Sequence, residues 1–220
     1  MIWAYAIVDA GRAPLPRVPG LDGAPLSLVH VGDACAVVSR HDDASPPEWS
    51  REALLGHEAV VEALMSTRAV LPLRFGTTQP DEVALVRALE QEHRDWPALL
   101  ERVRGRVELA VTVPAVDDGG PEQQAPGDGR RYLLDKVARH RAAVDAARRL
   151  DQAMAPISEA VNTRIQPGDD VALKAAYLVR RTHAADARRR IESAGVGAIC
   201  TGPWPPYSFT SAERLERMSA

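Results

Sequence analysis

Residues 106–113 alternate strictly, and this pattern limits the possible folds more than any other feature of the chain. Val107, Leu109, Val111 and Val113 fall on one side, and Arg106, Glu108, Ala110 and Thr112 on the other. Only an extended strand with one buried face puts every second residue on the same side. The segments after this strand set an order. Residues 114–128 hold three prolines and three glycines with almost no large apolar group, and are expected to form a flexible insertion. A long helix is predicted over about 130–154, with Leu133, Val137, Val144, Ala147 and Met154 on one stripe. Pro156 ends it, and a short helix to about Ile165 is expected next. Residues 171–180 read as a strand, 183–194 as an Arg-rich helix capped by Thr182, and 196–202 as a last strand. Strands and helices in this order suit an α+β sandwich with helices on one face of a sheet.

The first half reads differently. Residues 2–8 (IWAYAIV) are continuously apolar, as in a strand buried on both faces. LSLVHV and ACAVVS flank Gly32-Asp33, which predicts a hairpin. A helix over 51–66 carries Leu54, Val61, Leu64 and Met65 at helical spacing, with Ser50 as its cap. Another begins near Pro80, and Pro97 restarts it behind Asp95. A 220-residue chain has room for two small domains.

Charge and composition exclude several classes. The net charge is −3, from 27 basic and 30 acidic residues, which argues against a nucleic-acid partner. The N-terminal apolar run stops at Asp9, too short for a membrane span, so a cytosolic protein without a membrane partner is expected. The two cysteines, Cys35 and Cys200, read as small buried hydrophobes rather than a disulfide framework.

Templates for chemistry fail one by one. His57 opens H-E-A-V-V-E, but a zinc helix needs a second histidine at the position of Val61. His57 is therefore expected to be a partly buried or surface residue. No phosphate loop, dinucleotide loop or serine elbow is present, and no cofactor is implied. The doublets Asp42-Asp43, Asp117-Asp118 and Asp169-Asp170 lie in predicted turns. One enzymatic alternative stays open, a small-molecule-binding or catalytic α+β domain whose polar pocket gathers His57, Arg74 and Glu108.

Two segments resist such readings. LPLRFGTT (71–78) sets Arg74 beside Phe75 between Pro72 and Gly76. GPWPPYSF (202–209) packs three prolines and three aromatics into eight residues, so its rings are presented at little ordering cost. It is either a lid over the core or a preorganised binding surface.

With WAYAIV at the start, HEAVVEALM, RVELAVTV, YLLDK and AAYLVRR, these segments resemble the gas vesicle protein F/L family over nearly the whole chain. The resemblance implies two α+β domains, residues 1–104 and 105–209, followed by a polar tail over 210–220. The second would be a modified ferredoxin-like sandwich with additional helices. It further implies a non-enzymatic structural or assembly protein of gas vesicles, located at the vesicle in the cytoplasm. Its partners would be the hydrophobic shell protein and other accessory proteins. The candidate structural and interaction residues are Leu71, Pro72, Arg74, Phe75, Gly76, Gly202, Pro203, Trp204, Pro205, Pro206, Tyr207 and Phe209. Trp204 and Tyr207 are expected to bury against the core and to hold the two domains together.

Overall fold

The computed structural model describes residues 1–11, 14–42, 49–92, 95–115, 129–165 and 171–210. The flexible insertion and the polar tail expected from the sequence fall, but for residues 114, 115 and 210, outside these residues. The described chain is mixed α+β with two antiparallel sheets. It divides into two compact units, Met1–Arg106 together with Pro205–Ala220, and Val107–Trp204.

In the first unit, β1 (Ile2–Asp9) is buried on both faces, as an unbroken apolar run requires. The hairpin β2 (Leu26–Val31) and β3 (Ala34–Arg40) pairs with it, and β4 (Val70–Pro72) lies on its other side, giving the order β2-β3-β1-β4. A short β5 (Thr78–Gln79) also pairs with β1. Pro72 is tolerated because β4 ends the sheet's path, where a missing N–H breaks no ladder. Helix α1 (Arg51–Met65) starts where Ser50 Oγ accepts the Ala53 N–H at 3.0 Å. It buries His57, Val60, Val61 and Leu64 against Trp3, Tyr5, Val37 and Val70. Leu54 and Met65, expected on the same stripe, stay outside the fully buried set; Leu54 is 44% exposed. Helix α2 (Glu82–Glu92) and helix α3 (Trp96–Val103) come next, each started by an aspartate that accepts an N–H three residues on, Asp81 and Asp95.

In the second unit, β6 (Arg106–Pro114) buries Val107, Leu109, Val111 and Val113. Helix α4 (Gly129–Met154) leads to β7 (Ser158–Ile165), β8 (Val171–Arg180), helix α5 (Ala184–Ser193) and β9 (Ile199–Trp204). The sheet order is β7-β8-β6-β9. Three expectations are corrected here. Residues 158–165 form a strand, not a helix, because Val161, Thr163 and Ile165 alternate and the segment pairs with β8 along its length. Thr182 does not cap α5; it lies in a 3-10 turn (Arg181–His183) whose last residue takes the capping place without a side-chain bond. The α4 stripe is buried only toward its C-terminus. Ala143, Ala147, Leu150 and Met154 are in the core, whereas Leu133 and Val137 are exposed.

Candidate functional site

The LPLRFG segment is built onto the first sheet. The Leu73 N–H donates to the Tyr5 carbonyl at 2.9 Å, and the Ala4 N–H donates to the Thr77 carbonyl at 2.9 Å. Leu71 and Pro72 are buried and Arg74 is exposed. The turn closes where the Thr77 hydroxyl donates to the Arg74 carbonyl at 2.7 Å. The Arg74 side chain has no hydrogen-bond partner among the described residues.

His57 is fully buried, contrary to the expectation of a partly exposed ring. The Trp3 indole N–H donates to its Nδ1 at 3.1 Å, and its Nε2 lies 3.2 Å from the Leu73 carbonyl. An indole nitrogen only donates, so Nδ1 is the acceptor and Nε2 carries the proton that it gives to Leu73. Burial pushes its pKa down to about 4, opposed by the Leu73 bond, so the ring is neutral at pH 7. With both nitrogens engaged, His57 is a structural bridge between β1 and the LPLRFG segment, and not an available base. Local sequence carries no sign of this, because the partner indole lies 54 residues away.

Phe75 extends the cluster outward. Its ring meets Trp3 and His57 edge-on, at centroid distances of 5.1 and 5.6 Å. On its other side Trp49 packs at 5.1 Å and 88° while remaining 79% exposed. Gly76 has φ +87°, and a Cβ there would stand 3.0 Å from the Trp49 ring. Glycine is thus required both by the backbone and by the tryptophan. Trp49 is a site residue that the sequence does not announce, since its partner ring is remote and its neighbours are turn residues.

The GPWPPYSF segment divides between the two units. Gly202, Pro203 and Trp204 end β9, where Glu108 pairs with Trp204. The Arg188 guanidinium donates to the carbonyls of Cys200, at 3.0 Å, and Gly202, at 2.6 Å. Gly202 has φ +108°, and a Cβ would lie 2.7 Å from the Glu108 carbonyl oxygen. Trp204 is 39% exposed and its indole donates to Thr201 Oγ1. Its expected burial is corrected; at the end of β9, its ring folds back along its own strand.

Pro205 and Pro206 are buried in the first unit, and Phe209 is 1% exposed. Pro206, at φ −78° and ψ 56°, makes a tight turn in which the Tyr207 N–H donates to the Pro205 carbonyl. This places the Tyr207 hydroxyl 2.8 Å from Glu58 Oε1, to which it donates. Burial raises the Glu58 carboxyl above its ordinary range; the Tyr207 bond opposes this and the Glu62 charge adds to it.

The LPLRFG and PPYSF segments therefore meet on one helix at neighbouring residues. LPLRFG is held through His57, and PPYSF through Glu58. Around them Leu54 and Leu55 are 44% and 58% exposed on α1, and Trp49 stands just before its first residue. Glu108, considered together with His57 and Arg74, belongs to the second unit. A cleft of about 530 Å³ in that unit is lined by Val113, Ala138, Ala142, Asp145 and Arg149, among others. Among the described residues no three His, Cys, Asp or Glu side chains gather as a metal site. Of the cysteines, Cys35 is buried and Cys200 half-buried.

Comparison with known proteins agrees with this architecture. Residues 1–211 match the family described as gas vesicle synthesis protein GvpL/GvpF. Gas vesicle protein L of Streptomyces sp. (strain CB03234) is 32% identical, over 94% of this chain and 91% of the relative. Gas vesicle protein F2 of Halobacterium salinarum is 28% identical over the same shares. Crystal structures of GvpF from Anabaena sp. PCC7120 and from Microcystis aeruginosa share the fold, with TM-scores of 0.73 and 0.76. They cover 96% of this chain and 95% and 98% of theirs, at 20% and 18% identity. The chain belongs to the gas vesicle synthesis protein GvpL/GvpF family.

Proposed function

We propose that this gas vesicle protein acts without catalysis, as a minor shell-associated component or assembly factor that contacts the hydrophobic shell protein. It would also meet other gas vesicle accessory proteins, at the vesicle in the cytoplasm, and would take neither nucleic acid nor membrane as partner. The observation that carries this reading is the convergence of both segments on His57 and Glu58 of α1. It leaves Trp49, Leu54, Leu55 and Arg74 exposed around a rigid support. Tryptophan and arginine are the residues that dominate protein interfaces, and an aromatic ring fixed by packing loses little freedom on binding. Leu71, Pro72, Phe75, Gly76, Pro205, Pro206, Tyr207 and Phe209 would shape this support, and Gly202, Pro203 and Trp204 would offer a further contact on the second unit. His57, with both ring nitrogens engaged, favours a structural over a catalytic role. No helix is long and apolar enough to cross a membrane among the described residues.

The second unit supports a modified ferredoxin-like reading. Its elements run strand-helix-strand-strand-helix-strand, and the order β7-β8-β6-β9 is that of a split β-α-β arrangement. On this reading the domain boundary lies near residue 104.

The test is co-purification of the tagged chain with the shell protein from vesicle-forming cells, comparing wild type with a Trp49→Ser, Arg74→Glu double variant. Both side chains face mostly outward and the variant loses only the Trp49–Phe75 ring contact, worth about 1 kcal/mol, so it should stay folded with its melting temperature lowered by a few degrees at most while losing the shell protein. Equal recovery by both chains, or none by the wild type, would overturn the proposal.

A further inference from the structure

Helix α4 contains an apolar face that the described residues of its own unit leave exposed. Leu133, Leu134 and Val137 are 61%, 60% and 47% exposed. From residue 133 to 142 no side chain is buried; the first is Ala143. The reason is in the register. At 100° per residue, Leu133 and Val137 sit roughly 90° round the helix from the stripe of Ala143, Ala147, Leu150 and Met154. Lys136, Arg139 and His140 occupy the positions that would continue that stripe toward the N-terminus, so it stops. Leu133 and Val137 are four residues apart and form one ridge, with Leu134 beside it.

The charge around this ridge is predominantly positive. Lys136, Arg139 and Arg141 stand against Asp135, in a chain whose net charge is −3. Like charges disfavour pairing of this face with a second copy of itself. The ridge spans little more than one helical turn and carries no aromatic anchor among residues 133–142, which is too little for a helix lying on a lipid surface. A helix packed in a groove or along another helix needs only a few anchors at such spacing.

We propose that the N-terminal half of α4 docks an amphipathic helix of another protein, one whose apolar stripe is bordered by carboxylates. The anchors are Leu133, Leu134 and Val137, and Lys136 and Arg141 supply the complementary charge. This inference does not depend on the role assigned to α1.

The full chain would be titrated into a fluorescein-labelled synthetic helix of repeated Glu-Glu-Leu-Leu units, monitored by anisotropy at about 0.15 M salt. The expected result is saturable binding that a Leu133→Ser, Val137→Ser double variant weakens about tenfold or more. A helix of Lys-Lys-Leu-Leu units should not bind. Charge reversal at Lys136→Glu and Arg141→Glu should exchange the two preferences. The substituted residues are exposed, so the core is spared, and circular dichroism verifies this. The proposal is overturned if the acidic helix does not bind, or binds both double variants as it binds the wild type. It is equally overturned if the lysine helix binds as well as the acidic one. Wild type adhering to phosphatidylserine-containing vesicles and ignoring the acidic helix would assign the face to lipid. Self-association lost in the Leu133→Ser, Val137→Ser variant would assign it to a second copy.

Discussion

The bond chain from Trp3 through His57 to Leu73 makes a quantitative statement about pH. In the unfolded chain His57 titrates near its ordinary value of 6.5, and in the folded protein burial holds it at about 4. Between those values the unfolded state binds a proton that the folded state refuses. Stability therefore rises with pH over that window and is fully present above 6.5. The gap corresponds to about 3 kcal/mol, lost progressively as pH falls from 6.5 to 4. The perturbation is His57→Phe, which keeps an aromatic ring of similar width. At pH 7 it strands the Trp3 indole N–H and the Leu73 carbonyl, at about 1–3 kcal/mol for the buried donor and less for the half-buried carbonyl. The variant cannot protonate at this site, so its deficit relative to wild type should shrink by about 3 kcal/mol between pH 7 and pH 4. Urea denaturation at four pH values measures that difference. Nuclear magnetic resonance of the imidazole gives the cause directly, with an Nε2–H tautomer and a titration midpoint near 4. Parallel stability curves for the two chains, a midpoint near 6.5, or an Nδ1–H tautomer would each contradict a neutral, doubly bonded His57.

Gly202 and Tyr207 offer two more tests. Gly202→Ala puts a methyl group 2.7 Å from the Glu108 carbonyl oxygen at φ +108°. It should destabilise the second unit by about 1–3 kcal/mol, and hydrogen exchange should quicken in β6 and β9 and not in β1. Tyr207→Phe removes the donor to Glu58 and should cost about 1 kcal/mol at pH 7. Glu58 is already raised, and losing the one influence that opposes this raises it further. A raised carboxyl favours the folded state in acid and loses that contribution as pH rises through its folded value, so the variant's deficit should be largest at neutral pH and fade in acid. A deficit constant across that range, measured by denaturation, would disprove the linkage.

Legibility in the sequence depends on how local the cause is. The alternation of β6, the β2–β3 hairpin and the Asp95 restart are written in adjacent residues, and all three form as read. Strand β7 reads as a helix from its sequence because Pro156 and the polar residues Glu159, Asn162 and Arg164 obscure the period-two signal of Val161, Thr163 and Ile165. Pairing with β8 decides its state, and no property of the segment alone does. His57 and Trp49 are hidden for a related reason. Each is defined by a ring distant in sequence, Trp3 and Phe75 respectively. The prolines and glycines of LPLRFG and PPYSF mark both segments as rigid, but their meeting at consecutive residues of α1 is a tertiary fact. The exposed ridge on α4 reads as core because Leu133 and Val137 are apolar at helical spacing, although they stand about 90° round the helix from the stripe of Ala143, Ala147, Leu150 and Met154 that is buried.

The chain leaves its first unit at Arg106 and re-enters it at Pro205, and the strands that carry it out and back, β6 and β9, are hydrogen-bonded neighbours at Glu108 and Trp204. The inserted unit thus works as a clasp. While it is unfolded, bringing Phe209 and Tyr207 back to α1 means closing a loop of about 100 residues, an entropic cost of order 4 kcal/mol. Once β6 and β9 pair, the same ends are held one strand spacing apart and that cost has already been met. Anchoring of the C-terminal segment in the first unit is therefore coupled to folding of the second through chain connectivity alone. Damage to β9 would be felt at Phe209 before any side chain of the first unit had been altered.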